Sequence, residues 1–342
     1  MVTIRIAING FGRIGRSFLR AVLSSEALAK DGDFDIVAIN DLTYTKTLAY
    51  LLKYDSVYRK YDKEVSAKEG AISVNGKEIK VFAEKDPAHL PWKDLGVDVV
   101  IESTGFFTYG EKAKVHLDAG AKRVVITAPA TGDVTTALLG VNDDRFKNAG
   151  PITANASCTT NSVAPVMAIL HEAYGVVKGG MTTVHAYTAT QKLVDGPDAK
   201  DLRRGRAAAA NIVPSSTGAA EAVVQVIPDL KGRFEAVAIR VPVITGSLSV
   251  ITAEVGKTVS AEDVNSLFKQ KAAEPRWSKT VKVSEDALVS SDIIGEPYGA
   301  IIDSELTKVV AGNLIQIFSW YDNEAGYTAT LVEHVRRGAQ NL

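Results

Sequence analysis

Ile8-Asn9-Gly10-Phe11-Gly12-Arg13-Ile14-Gly15-Arg16 carries the spacing G-x-G-x-x-G, and its reading decides the fold of the first half of the chain. Apolar or β-branched residues alternate with small or polar ones over residues 2–9, as in a strand. Apolar residues return at helical spacing over residues 16–23. Gly10, Gly12 and Gly15 therefore occupy a strand-to-helix turn. Glycine there permits a tight turn and lets a pyrophosphate approach backbone N–H groups at a helix start, where the dipole favours negative charge. The hexad alone also fits a plain glycine-rich turn; its context carries the nucleotide reading. A second strand over residues 35–40 ends at Asp41, 26 residues beyond Gly15, with the polar stretch 24–33 as a longer connection. The Asp41 carboxylate can accept hydrogen bonds from ribose hydroxyls and repels a 2′-phosphate, which favours NAD over NADP. The alternative for Asp41 is a turn or cap residue.

Working outward, short apolar runs over residues 97–102 and 123–127 read as further strands, with a helix over 111–120 between them. Strands alternating with helices imply right-handed crossovers and a doubly wound, Rossmann-type parallel sheet in an α/β fold. The pattern then changes. Residues 162–174 read as a helix with Pro165 near its start, where proline is tolerated. Longer strands follow over 180–187, 236–243 and 247–255, separated by an irregular stretch, 188–206, and a helix over 218–227. This predicts an α+β catalytic domain with a mixed or antiparallel sheet. Residues 327–340 are helical again. The expected organisation is an NAD-binding domain over residues 1–157, completed by the C-terminal helix 324–342, and a catalytic domain over 158–323.

Hydrophobic residues form 46% of the 342, which supplies a sizeable core. Lys+Arg 39 against Asp+Glu 40 gives a formal net charge of -1, without the electrostatic footprint of a dedicated nucleic-acid binder. One cysteine cannot close an intrachain disulfide, and a reducing compartment suits it. No apolar stretch reaches membrane-spanning length, and MVTIRIAING carries no basic leader with a cleavage site, so a soluble cytoplasmic protein is expected.

The lone thiol, Cys158, lies in Asn155-Ala156-Ser157-Cys158-Thr159-Thr160-Asn161, between a strand-like run and a helix. A thiol at a helix amino terminus has its thiolate stabilised by the dipole, which predicts a lowered pKa and nucleophilic character. An isolated cysteine is also often inert packing, although polar, small flanks argue against core filling here. A base must lie close in space, and sequence does not measure that distance. Of five histidines, His89, His116, His171 and His334 read as solvated surface residues, whereas His185 ends a strand where a scaffold presents active-site residues. Arg203-Arg204-Gly205-Arg206 lies in the irregular stretch, and Arg240 lies inside an apolar strand, where an unpaired charge is costly to bury. Arg240 is therefore expected to meet an anion.

With these residues assembled, the sequence resembles phosphorylating glyceraldehyde-3-phosphate dehydrogenases over nearly its full length. The carrying motifs are the glycine-rich stretch above, Asn40-Asp41-Leu42, Leu51-Leu52-Lys53-Tyr54-Asp55-Ser56 and Ser103-Thr104-Gly105-Phe106-Phe107. Further motifs are Ala156-Ser157-Cys158-Thr159-Thr160-Asn161, His185-Ala186-Tyr187-Thr188, Ser216-Thr217-Gly218-Ala219-Ala220, Arg240-Val241-Pro242 and Trp320-Tyr321-Asp322-Asn323-Glu324. The resemblance implies oxidative phosphorylation of D-glyceraldehyde 3-phosphate to 1,3-bisphosphoglycerate through a Cys158 thiohemiacetal and thioester, with His185 as base. It implies NAD as cofactor and a step of glycolysis or gluconeogenesis. Thr188, Thr190 and Arg240 resemble the pocket for the substrate's phosphate. Ser157, Thr159, Arg204, Thr217 and the backbone of Gly218 resemble the pocket for inorganic phosphate. Arg13 and Ile14 resemble pyrophosphate contacts, Asp41 the adenosine ribose contact and Asn323 the nicotinamide amide anchor, while Lys85 and Thr127 match positions lining the cofactor site. No metal is implied.

Residues 188–206 resemble an S-shaped loop that approaches a neighbour's cofactor in a homotetramer, and Gly196-Pro197 within it matches NAD-preferring members. Two positions depart from the family's pattern: Ala325 replaces a usually bulkier residue, and Val250 stands where many relatives carry aspartate. Erythrose-4-phosphate dehydrogenases share the thiol and imidazole, but usually lack the run Thr217-Gly218-Ala219-Ala220. A non-catalytic NAD- or RNA-binding regulator on the same scaffold is the alternative of another class; the intact thiol, imidazole and anion residues weigh against it, and nucleic acid is not a required partner.

Overall fold

The computed structural model describes residues 3–24, 28–30, 32–199 and 201–341. Val2, expected to begin the first strand, and part of the connection expected over 24–33 lie outside them. By internal contacts the chain divides into two units, one of residues 1–137, 142–156 and 331–342, the other of 138–141 and 157–330. The division falls one residue before the expected boundary at 157, the short segment 138–141 belongs with the second unit, and so do residues 324–330, expected in the first. No helix among the described residues is long and apolar enough to cross a membrane.

In the first unit, nine strands among the described residues form one sheet. Its parallel centre is Phe34–Asn40, Ile4–Asn9, Val99–Glu102, Arg123–Ile126 and Ile152–Ala154, in that spatial order. Ile4–Asn9 pairs with Phe34–Asn40 on one side and Val99–Glu102 on the other, so the strand order reverses at its carboxyl end, where such sheets bind ligands. Residues Ile6, Ile8, Ile36 and Ile39 are fully buried in this centre, while Phe18 and Leu19 of the helix Arg13–Ser24 cover it. The sheet is mixed, not purely parallel. Val65–Lys68, Ala71–Val74 and Lys77–Phe82 add an antiparallel meander at one edge. Asn75 and Gly76, both at positive φ, make the tight turn between the last two, a pairing suited to the twist of a hairpin.

The helix expected over residues 111–120 divides into Gly110–Ala113 and Val115–Asp118. Its His116 is fully buried, and so is His334 of the helix Ala325–Gly338, which corrects the expectation that both are surface residues. His334 Nδ1 donates to the Ala137 carbonyl at 3.1 Å, Nε2 meets Thr153 Oγ1 at 2.8 Å, and Phe146 packs edge-on to the ring. Both ring nitrogens thus have partners, which is what a buried imidazole requires.

Among the described residues the second unit is built on a seven-stranded mixed sheet, in the spatial order Val213–Ser215, Phe234–Val241, Val176–Ala186, Ser247–Val255, Leu314–Tyr321, Ala300–Val310 and Val281–Ser284. Every second residue of Ser247–Val255 is buried under the helix Cys158–Tyr174, which is buried almost all round from Thr159 to Leu170. This helix begins four residues before its expected start, so Pro165 lies in its interior. Proline there cannot return the usual hydrogen bond to the Asn161 carbonyl. Gly299 closes on that carbonyl: a Cβ at this position would lie 2.9 Å from the oxygen.

Burial, with a smaller contribution from the Arg337 charge, pushes the His334 imidazole down to about 4. The unfolded chain takes up this proton below about pH 6.5 and the folded chain resists it, so stability present at neutral pH is lost between about 6.5 and 4. The full shift corresponds to about 3 kcal/mol. We expect Tm to fall across this range, and to fall less steeply in His334→Gln; parallel Tm–pH curves for the two proteins would remove His334 as a cause.

Candidate active site

Cys158 is the first residue of the helix Cys158–Tyr174, and Ser157 caps it, its Oγ accepting from Thr160 N at 3.1 Å. Ala156, just before the cap, holds a φ of 51°, a left-handed conformation that costs a non-glycine residue about 1 kcal/mol. The turn is therefore held by its surroundings, and it delivers the sulfur to a helix end.

His185 is the penultimate residue of Val176–Ala186, and lies opposite Arg240 in the parallel pairing with Phe234–Val241. Its Nε2 is 3.4 Å from Cys158 Sγ, and its Nδ1 is 2.7 Å from the Ala186 carbonyl oxygen. That oxygen can only accept, so the proton is assigned to Nδ1, and the Nε2 lone pair faces the thiol. Arg240 Nη1 donates to the same carbonyl at 3.0 Å and lies 2.7 Å from Nδ1. Two donors therefore crowd at that carbonyl.

Further residues fix this arrangement. The Tyr321 ring stands edge-on to His185, while its buried hydroxyl meets Thr183 Oγ1 at 2.7 Å and Thr159 Oγ1 at 3.0 Å. Ser247 Oγ accepts from Ala186 N at 3.2 Å and donates to Asn323 Oδ1 at 3.0 Å, and Thr245 Oγ1 donates to the same oxygen at 3.2 Å. The Asn323 amide is thereby oriented, its carbonyl spent on two hydroxyls. Asp322 accepts from Glu324 N and Ala325 N, both at 2.9 Å, which ties Asn323 to the start of the terminal helix. Ala325 is the first residue of the terminal helix Ala325–Gly338, and Val250 is a half-buried residue of Ser247–Val255.

Cys158 keeps partial solvent exposure, yet burial pushes its thiol up, against the nearby Arg240 charge. This reverses the lowered value expected from the helix end: desolvation outweighs it. Burial, then the Arg240 charge, pushes the His185 imidazole down to about 3. Burial thus acts on both partners in the direction of their neutral forms, and the Nε2 lone pair is placed to receive a proton from the sulfur.

The anion-binding candidates fall into separate local arrangements. Thr188 and Thr190 share an Oγ1–Oγ1 contact of 3.0 Å. Arg204 donates to Ser215 Oγ at 2.9 Å and to the Ser216 carbonyl at 3.3 Å. Thr217 Oγ1 accepts from Ala219 N at 3.3 Å, and Gly218 precedes the helix Ala219–Val226. The Ser157 hydroxyl is engaged in its cap and that of Thr159 is turned to Tyr321. Burial pushes the Arg240 guanidinium down, and the charge of Arg204, itself 3.5 Å from the Asp201 carboxylate, adds a small like-charge effect.

In the first unit a cavity of about 560 Å³ opens at the sheet's switch point, lined by Gly10, Gly12, Asp41, Lys85, Thr104 and Phe106 among others. A Cβ on Gly10, at φ +89°, would lie 2.7 Å from Thr104 N, whereas the space over Gly12 is open. The first glycine lets two loops close and the second leaves room for a phosphate, so the residues fit a dinucleotide. Asp41 Oδ2 accepts from Phe11 N at 2.8 Å and Oδ1 from Thr43 N at 2.9 Å, with lone pairs left for hydroxyls. The Arg13 guanidinium is spent on Asp55, so what Arg13 and Ile14 offer a phosphate is backbone at the start of Arg13–Ser24. Thr127 lies at the end of Arg123–Ile126, its Oγ1 donating to the Glu102 carbonyl at 3.1 Å.

Residues 4–110 match the family described as glyceraldehyde 3-phosphate dehydrogenase, NAD binding domain, and residues 157–323 match its C-terminal domain. The chain belongs to the glyceraldehyde 3-phosphate dehydrogenase family. It is similar to the glyceraldehyde-3-phosphate dehydrogenase of Thermotoga maritima, 55% identical over 96% of this chain and 97% of the relative. That of Mycolicibacterium smegmatis is 51% identical over 100% of both chains, and that of Clostridium acetobutylicum 50% over 96% of both. This member of the glyceraldehyde 3-phosphate dehydrogenase family is an NAD-dependent oxidoreductase.

Sequence reasoning missed Thr183, Tyr321, Thr245 and Ser247 as parts of the site. Alternation along residues 180–187 does put Thr183 and His185 on one face, but cross-strand partners have no local signal. In His185→Asn we expect Cys158 alkylation by iodoacetamide at pH 7 to slow by about tenfold or more, because the thiol loses its base. The rate should recover only above the ordinary thiol range; wild-type rates in the variant at pH 7 would exclude His185 as that base.

Proposed function

We propose that this protein catalyses the NAD-dependent oxidative phosphorylation of D-glyceraldehyde 3-phosphate to 1,3-bisphosphoglycerate, a step of glycolysis and gluconeogenesis. The observation that carries the reading is the 3.4 Å approach of His185 Nε2 to Cys158 Sγ, with Nδ1 held by the Ala186 carbonyl. The aldehyde carbon takes a bond from sulfur while the thiol proton passes to Nε2, and the imidazolium returns it to the oxyanion to give a thiohemiacetal. Bound NAD supplies the hydride acceptor that takes the reaction to the thioester. His185 removes the hydroxyl proton as the carbonyl re-forms. Inorganic phosphate then attacks the thioester carbonyl, and Cys158 leaves as a thiolate that His185 reprotonates.

The charges near the thiol support a phosphorylated substrate. Arg240 is half-buried, and its guanidinium crowds the imidazole. A substrate phosphate on Arg240, Thr188 and Thr190 would draw this charge away and raise the basicity of His185 when it is needed. Ser157, Thr159, Arg204, Thr217 and Gly218 would receive inorganic phosphate, Asn323 would orient the nicotinamide amide, and Lys85 and Thr127 would flank the cofactor. Exposed Leu193, Val194, Leu202 and Ile212, in or beside the S-shaped loop, support association into a homotetramer. The lone cysteine supports a cytoplasmic setting.

Purified protein with NAD, phosphate and glyceraldehyde 3-phosphate should produce NADH, and Cys158→Ser should not; no NADH from reduced wild-type protein would refute the reading. Thr217→Ala is expected to raise the KM for inorganic phosphate about tenfold with little change in the aldehyde KM. An unchanged phosphate KM would reassign that pocket. Asp41→Ala should narrow the NAD over NADP preference in kcat/KM, since it removes the charge that repels a 2′-phosphate.

A further inference from the structure

A buried polar cluster lies behind the nucleotide cavity, and none of the steps above uses it. Glu102, the last residue of Val99–Glu102, and His116 have side chains 1% and 0% exposed. Glu102 Oε2 accepts from Asn9 Nδ2 at 2.6 Å and from His116 Nε2 at 3.0 Å. Its Oε1 accepts from Thr104 N at 2.8 Å and from Thr104 Oγ1 at 2.5 Å. The indole Nε1 of buried Trp92, a donor only, reaches His116 Nδ1 at 3.2 Å. Nδ1 is therefore the acceptor, and Nε2–H points at the carboxylate. Four donors thus converge on two oxygens.

The cluster continues into the cavity wall. Asn9 Oδ1 accepts from Asn40 Nδ2 at 2.7 Å. Asn40 clasps the Glu84 backbone from both sides, Nδ2 to the carbonyl at 2.9 Å and Glu84 N to Oδ1 at 2.8 Å. Asn9, Asn40, Glu84 and Thr104 all line the cavity, whereas Glu102 and His116 do not. One carboxylate therefore holds wall residues from two neighbouring strands and two loops, at the point where the strand order reverses.

We propose that Glu102 and His116 are positioning residues for NAD, fixing the wall of the cavity without touching the ligand. The inference rests on the reading of this cavity as the site of the adenosine half of NAD. Glutamine at 102 cannot substitute: whichever way its amide turns, one pair of donors meets an NH2 group, and either Asn9 or Thr104 is released. Release of Asn9 also unties Asn40 and Glu84. The residues around Cys158 are a different set, so binding should suffer and chemistry should not.

The test measures ADP and NAD affinity by calorimetry in Glu102→Gln, His116→Phe and His116→Gln, with Asp41→Ala as the control for the cavity. We expect Kd for ADP and NAD, and KM for NAD, to rise about tenfold in Glu102→Gln and His116→Phe. The kcat at saturating NAD and the alkylation rate of Cys158 should remain at wild-type values. His116→Gln keeps a donor for Glu102 and should recover part of the affinity. Should Glu102→Gln not fold, the two His116 variants decide. Folded variants with lowered Tm but wild-type Kd, or with kcat lost and KM unchanged, would overturn the positioning role. If Asp41→Ala also binds ADP like wild type, the cavity reading fails as well; if only Asp41→Ala weakens binding, the positioning inference alone fails.

Discussion

His185 faces the sulfur because its other nitrogen is held, and what holds it is the carbonyl of its own neighbour, Ala186. A backbone acceptor cannot change its protonation, so it fixes the tautomer more firmly than a carboxylate would. The carbonyl is itself fixed by the strand: Ala186 N is tied to Ser247, and the residue pairs with Val241 in the parallel ladder. The same pairing sets Arg240 against His185. Sheet register thus determines the base, its tautomer and the charge that suppresses its basicity. A one-residue slip would turn Arg240 to the opposite face and remove its charge from the imidazole, while the Ala186 carbonyl would still hold Nδ1.

Both units meet the cost of burying polar groups in the same way. Around Cys158 the hydroxyls of Thr159, Thr183 and Tyr321 satisfy one another beneath the helix, and near the nucleotide cavity Asn9, Asn40, Glu102, His116 and Trp92 do so. An unpaired buried polar group costs about 1–3 kcal/mol. Closed networks avoid that cost and permit few alternative rotamers, which gives a reactive or binding surface its rigidity. The price is sensitivity, since removing one member strands its partners.

Much of this was legible in the sequence, and what was not has physical reasons. The glycine hexad, the strand ahead of it and Asp41 are local features, and the open space over Gly12 agrees with the reading of a turn shaped for a ligand. His185 at a strand end was likewise visible from alternation. The proximity of Arg240 to it was not, because parallel pairing joins residues far apart in the chain without a local mark. The helix start at Cys158 was misjudged because its cap, Ser157, is followed three residues on by Thr160 and not by the acid of a capping box. The meander at the sheet edge did have a signal in Asn75-Gly76, whose weight is plain once both residues are seen at positive φ. His116 illustrates the opposite limit, since a four-residue helix gives too few residues for periodicity to show which face is buried.

The thiol and the imidazole present a tension that the fold resolves in time, not in space. Burial of the site pushes the Cys158 thiol up and the His185 imidazole down, which makes proton transfer between them harder at rest. An arginine beside the imidazole would ordinarily worsen this. Here Arg240 also belongs to the proposed substrate-phosphate pocket, so the group that suppresses the base is the group the substrate would engage. Binding energy from a remote phosphate would then be converted into basicity at Nε2, and an aldehyde without that phosphate would leave the suppression in force. On this view the crowded contact between Arg240 and His185 is part of the specificity of the site.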